Sequence, residues 1–200
     1  MNRMAKIIHS PKTMYTRPMR ITFGLLFLMI TACAGVNSVD ELPTATSVDF
    51  SRYVGKWHEI ARLPMWAQRH CLRSTAEYSL LESGEIGVRN ACGTADGKEE
   101  SIEGKATIVD RVHRAKLNVV FDQWAAKFVA FFTSSEKGNY WILRVDPGYR
   151  HAVVGTPDLE YLWILARTPS LPEDTYQELV VFSQRLGFTT ENLIRASPSS

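Results

Sequence analysis

The side chains with chemical reach in this sequence are few and scattered. Three cysteines stand at positions 33, 71 and 92, and five histidines at 9, 58, 70, 113 and 151. The histidines follow no spacing that gathers ligands around an ion, so no metal site is expected from them. His70 beside Cys71 has the composition of an activated thiol nucleophile. Such chemistry needs a free thiolate, and oxidation of Cys71 would abolish it. No Gly-x-Ser-x-Gly elbow, P-loop or Gly-x-Gly-x-x-Gly cradle occurs. These residue types indicate no catalytic centre and require no cofactor. What use they have depends on the elements that hold them.

A chain of 200 residues, 45% hydrophobic and 22% charged, fits one globular domain and excludes wholesale disorder or a collagen-like repeat. Its charge is uneven. Arg3, Lys6, Lys12, Arg17 and Arg20 precede Ala32 with no acid among them, whereas all 21 Asp and Glu follow it, leaving the body three charges negative. A mildly acidic body lacks the basic face that phosphate binding needs, so nucleic acid is not an expected partner. The run Ile21–Ala32 is too short to span a bilayer, which takes about 20 residues, and it fits the apolar region of a secretory signal.

The boundary Ile30-Thr31-Ala32-Cys33 resembles the lipobox of bacterial lipoproteins. That resemblance implies that residues 1–32 are a signal peptide and that Cys33 is acylated and becomes the mature N-terminus. The simpler alternative is an ordinary cleavable signal with an incidental cysteine. Met14 or Met19 could be the true start. Ala34, in place of an Asp, implies release to the outer membrane, with the chain facing the periplasm. Residues 33–49 then read as a lipidated flexible tether, and 196–200 as a tail.

Within residues 50–195, short alternating segments recur about every ten residues, a pattern of sandwiches and barrels. They run Gly55–Arg62, Ser74–Leu81, Ile86–Ala91, Ser101–Asp110, Ala115–Phe121, Asn139–Asp146, His151–Gly155 and Tyr161–Arg167. Glu82-Ser83-Gly84-Glu85 and Asp146-Pro147-Gly148-Tyr149 mark tight turns. A helix follows, with Ser170 as N-cap and Glu173 completing a capping box. Its apolar positions Tyr176, Leu179, Val180 and Leu186 fall on one face, and a shorter helix starts near Thr190. The expected fold is all-β: an eight-stranded antiparallel up-and-down β-barrel with a C-terminal α-helix packed on the outside. Such a barrel has space for side chains or one small ligand.

Gly55-Lys56-Trp57 opening the first strand and Arg167 closing the last resemble the signature pair of the lipocalins. The resemblance extends through Tyr53–Arg62, Thr75–Leu80, Asp146–Gly155 and Tyr161–Pro169, closest to the bacterial outer-membrane lipocalins and near apolipoprotein D. It implies that Trp57 plugs the closed end with Arg167 across its ring. It also implies a ligand-binding set of Tyr78, Asn90 and Trp141. Strand parity would turn Glu59 and Ala61 inward with Trp57, and would set Ala76, Tyr78 and Leu80 on one face opposite Ile86, Val88 and Asn90. Glu59 is the one carboxylate placed in the lumen, either as a raised-pKa acid or, more simply, as a hydrogen-bonding group.

With Cys33 lipidated, Cys71 and Cys92 remain as an even pair in an oxidising compartment, read as a disulfide, with two free thiols as the alternative. A hairpin centred between Ser83 and Gly84 would set Cys71 opposite residue 96, which leaves Cys92 about 13 Å away along the strand. Bonding would then require the segment before Ser74 to fold back over the mouth. The lipocalin resemblance, rather than composition or periodicity, implies a non-enzymatic carrier of a fatty acid, lysophospholipid or similar amphiphile. It would be held at the membrane by its lipid anchor, and homodimerisation is left open. Two rivals are a barrel isomerase using Glu59 and an interaction protein docking through the aromatic connection at 122–132, at the mouth.

Overall fold

Alternation of apolar and polar residues builds one side of this molecule, and unbroken apolar runs build the other. In a computed structural model, which describes residues 41–122 and 136–197, the strands are β1 (Gly55–Arg62), β2 (Cys71–Leu80), β3 (Ile86–Thr94), β4 (Glu99–Ile108), β5 (Lys116–Phe121), β6 (Tyr140–Val145), β7 (His151–Gly155), β8 (Leu162–Ala166) and β9 (Ile194–Arg195). Among the described residues, the α-helix α1 (Phe50–Tyr53) precedes β1 and the α-helix α2 (Glu173–Arg185) follows β8. Each of β1–β7 pairs antiparallel with the next, and β1 pairs with both β8 and β2, so the sheet closes into the expected eight-stranded barrel, with β9 added beside β1.

On β4, Ile102, Gly104 and Ala106 are covered while Glu103, Lys105 and Thr107 are exposed, the signature of a wall with water outside. On β6, β7 and β8 the runs Trp141-Ile142-Leu143, Ala152-Val153-Val154 and Ile164-Leu165-Ala166 are buried throughout. Those strands are covered on both faces. Ile142, Ala152, Val154 and Leu165 join Trp57 and Tyr78 in an inner core. Trp141, Leu143, Val153 and Ile164 join Tyr176 and Leu179 of α2 in an outer one. Burial of α2's apolar stripe thus offsets the exposure those runs would otherwise suffer. Gly155 makes the join possible, because a Cβ there would lie 2.6 Å from the Phe188 ring.

The closed end is built around α1. Asp49 caps it by accepting from the Ser51 N–H, and its last carbonyls would be orphans without a partner. Arg167 supplies that partner, donating to the carbonyls of Arg52, Tyr53, Val54 and Lys56, and also to that of Tyr149. The guanidinium carbon lies 3.9 Å from the centroid of the Trp57 ring, and Trp57 Nε1 donates to the Tyr53 carbonyl at 2.8 Å. Gly55 sits beside this group at φ +94, where a side chain would be strained and its Cβ would lie 3.4 Å from Arg167 Nη1.

Several local expectations need correction. The β2–β3 hairpin is centred on Ser83, since Leu80 pairs with Ile86 and Ser74 with Cys92. This one-residue shift, with a bulge between Cys71 and Arg73, brings Cys71 to 5.3 Å from Cys92 (Cα to Cα), and the two are disulfide-bonded without β2 leaving the sheet. With the partners 21 positions apart in sequence, the crosslink stabilises by about 3 kcal/mol through the denatured state.

Helix α2 starts later than the capping box implies. Pro172 is its N-cap, and Glu173 instead accepts from Gln177 and Arg195. Leu80 lies two residues past Tyr78, the partner of Gly55, and is exposed rather than lumenal. The segment read as a free tether is attached from Glu41 onward, where its carboxylate meets Lys116. Ala45 and Val48 donate to the carbonyls of Ile142 and His113. The strand β9 and helix α1, both too short to show periodicity, were not expected. Residues 1–32, read above as a signal peptide, and Cys33 lie outside the described residues.

Replacing Arg167 with Ala removes a ring contact and charged donors from at least four carbonyls together. The expected loss is about 3 kcal/mol in urea unfolding, with Arg167→Lys recovering only a minor part because a point charge cannot fork across several acceptors. A loss under about 0.5 kcal/mol would show that the closed end does not depend on this residue.

Candidate functional site

Inside the barrel, above the closed end, lies a cavity of about 150 Å³, roughly ten times the space one water requires. Its floor is made by Tyr78 of β2 and Tyr140 of β6, whose hydroxyl oxygens are 2.7 Å apart. Behind them Tyr53 of α1 brings its hydroxyl to 3.1 Å from that of Tyr140. Burial pushes all three phenols up, Tyr78 to about 12 and the other two well above their ordinary value, so they are neutral. The walls are apolar, from Ala76, Ile102, Val119, Phe121 and Leu165.

Toward the β1–β2 connection the lining becomes polar. Gln68 Nε2 donates to Glu59 Oε2 at 2.9 Å and lies 3.3 Å from Ser74 Oγ, and its Oε1 accepts from Trp163 Nε1 at 3.2 Å. Arg62 adds an ion pair to Glu59 at 3.4 Å and a bond to the Gln68 carbonyl. Burial raises the Glu59 carboxyl, against the opposing pull of Arg62 and Gln68. Each group in this rim network restrains its neighbours, which fits the hydrogen-bonding role for Glu59. The disulfide and the pair His70–Glu100, at 3.0 Å, complete the rim. The donor atoms of His70, Cys71 and Cys92 lie within 4.8 Å of one another. With both sulfurs in the disulfide, they supply neither thiolate ligands nor a nucleophile in this form.

Of the residues expected to meet a ligand, Tyr78 and Asn90 line the cavity, and the Asn90 Oδ1 has no partner among the described residues. Trp141 does not line it. It faces outward into the core beneath α2, with Nε1 donating to the Lys137 and Gly138 carbonyls and Lys116 Nζ 3.9 Å from its ring centroid. Tyr140, one position earlier, is the lumenal residue. The segment Tyr-Trp-Ile-Leu is apolar on both faces, so nothing in the sequence sets its phase. Ala61 also turns outward, because β1 bulges between Glu59 and Ala61 and reverses the parity beyond Glu59. Of the aromatic connection, residues 123–135 lie outside the described residues. Among the described residues no helix is long and apolar enough to cross a membrane.

Comparison with known proteins agrees with this geometry. Residues 48–198 match the family model of the lipocalin-like domain. The outer membrane lipoprotein Blc of Escherichia coli K12 is 34% identical over 167 residues, covering 83% of this chain and 88% of its own. Apolipoprotein D of Macaca fascicularis is 32% identical over 171 residues, covering 76% and 83%. Among solved structures, insecticyanin from the tobacco hornworm superposes with a TM-score of 0.56 over 80% of this chain and 86% of its own, at 19% identity, a likeness of fold alone. A barrel closed by Trp57 and Arg167, matched by these sequences along nearly the whole described chain, makes this protein a member of the lipocalin family, in the bacterial subgroup close to apolipoprotein D.

Proposed function

We propose that this protein is a carrier that takes a fatty acid, lysophospholipid or similar amphiphile into its barrel and holds it at the cell envelope. Membership in the lipocalin family supports binding or transport of a hydrophobic ligand rather than an enzymatic role. The observation that carries the reading is the cavity itself: an apolar wall of Ala76, Ile102, Val119, Phe121 and Leu165 between a hydroxyl floor and a hydrogen-bonded rim. Burying an alkyl chain along that wall contributes roughly 0.8 kcal/mol per methylene, while the few polar groups set orientation.

The cell location follows from two supports. The tripeptide before Cys33 has the sequence of a lipobox, and the relatives named Blc are outer membrane lipoproteins. Acylation of Cys33 would hold the barrel at the outer membrane, since several acyl chains together make a lasting anchor.

Trp163 lines the cavity and is the expected reporter. Titration with an acyl amphiphile should change its emission saturably, and Trp163→Phe should silence that signal while binding persists by equilibrium dialysis. Ala76→Phe, which fills the lumen, should weaken binding at least about tenfold, whereas Trp141→Phe on the outer wall should leave it unchanged. Full affinity in a folded Ala76→Phe variant would place the ligand elsewhere. For the anchor, Cys33→Ser should move the protein from the membrane fraction to the soluble envelope fraction, and continued membrane association without an acyl group would rule the anchor out.

A further inference from the structure

The cavity floor holds three hydroxyl protons and only two places within the triad to put them. Tyr140 Oη meets Tyr78 Oη at 2.7 Å and Tyr53 Oη at 3.1 Å, and among the described residues the three hydroxyls bond only with one another. Each phenol carries a single proton. Two contacts consume two protons whichever group donates, so one proton always lacks an acceptor inside the triad. A buried donor without an acceptor is costly. Tyr53 does not line the cavity and packs against Trp57 and Tyr78, with ring centroids 4.9 and 5.3 Å away. Tyr78 and Tyr140 do line it. The spare donor is therefore cheapest on one of those two, directed at whatever occupies the cavity.

The character of the acceptor follows from the surrounding charges. Among the described residues the lining includes no Lys and no Arg, while it includes the carboxyl groups of Glu59, which is paired with Arg62, and of Glu100. His70, at the rim, is already paired with Glu100. The guanidinium of Arg167, below the floor, is committed to the carbonyls of Arg52, Tyr53, Val54, Lys56 and Tyr149. One neutral donor without a cation suits one neutral oxygen. An anion there would be desolvated without a countercharge, which is far more costly than burying a carbonyl.

We infer that the tyrosine floor is a subsite for an uncharged carbonyl oxygen, so that a ligand enters carbonyl-first with its alkyl chain running up the apolar wall toward the rim. The preferred class is neutral oxo-lipids (fatty aldehydes, ketones, esters or a protonated acid) over carboxylates of the same length. This rests on the carrier reading and specifies the chemistry of that same site.

The test compares 2-undecanone, undecane and undecanoate on the full-length protein and on the double variant Tyr78→Phe/Tyr140→Phe, which preserves the apolar surface of the floor. The ketone should lose about tenfold in affinity in the variant, the scale of one buried hydrogen bond, while undecane changes less than twofold. Undecanoate should bind wild type more weakly than the ketone at neutral pH and gain as pH falls toward its own pKa. The carbonyl stretch of bound ¹³C-labelled ketone should lie at lower wavenumber in wild type than in the variant. Equal losses for ketone and undecane, or no loss for either, would overturn the subsite while leaving the carrier intact. Failure of all three ligands to bind wild type would overturn the carrier reading and the subsite with it. If the double variant does not fold, the wild-type carbonyl stretch decides: a value below that of the ketone in hexane supports the hydrogen bond, and the hexane value overturns it.

Discussion

The guanidinium of Arg167 lies against the Trp57 ring and gathers backbone carbonyls from α1, the start of β1 and the turn at Tyr149. A four-residue helix has no stability of its own, because nucleation fixes several dihedrals for very few hydrogen bonds. Held by Arg167, α1 becomes a plug, and Tyr53 is carried with it into contact with Tyr78 and Tyr140. The floor of the cavity therefore exists because an arginine at the end of the last barrel strand satisfies a helix end more than a hundred residues earlier. Burial lowers the pKa of that guanidinium from its ordinary value, but an arginine stays charged in proteins.

The second constraint is that the barrel wall separates two cores. β2, β3 and β4 have a solvated outer face, which lets charged residues such as Glu103 and Lys105 stand outside. β6, β7 and β8 are covered outside by α2 and inside by the lumen. A small barrel thus devotes the outer face of one flank to stability, while the inner faces of both flanks and the mouth shape the cavity. The rim uses a buried acid differently from an active site: Glu59, Gln68, Arg62 and Trp163 restrain one another, and the disulfide ties β2 to β3 beside them.

Much of this architecture was legible in the sequence, and the failures have physical causes. Strands with one wet face announce their phase, so Tyr78, Val88 and Asn90 were placed correctly. In Tyr140-Trp141-Ile142-Leu143 both faces are dry, periodicity vanishes, and the lumenal position was assigned to Trp141 instead of Tyr140. The bulge in β1 reversed Ala61, because one inserted residue flips every side chain beyond it. Pro172 displaced Ser170 as helix cap, since its fixed φ already suits helix entry. The tyrosine triad depends on α1, too short to carry a period, meeting strands far away in the chain. No local signal could have brought those hydroxyls together.

The central claim is that the barrel interior holds a lipid. Native mass spectrometry of the protein isolated from its own envelope, before and after organic extraction, tests it most directly. The expected result is an adduct of lipid mass that extraction removes and that returns when an acyl amphiphile is supplied. A protein that shows only its own mass, and that stays unliganded with every amphiphile offered, would contradict it.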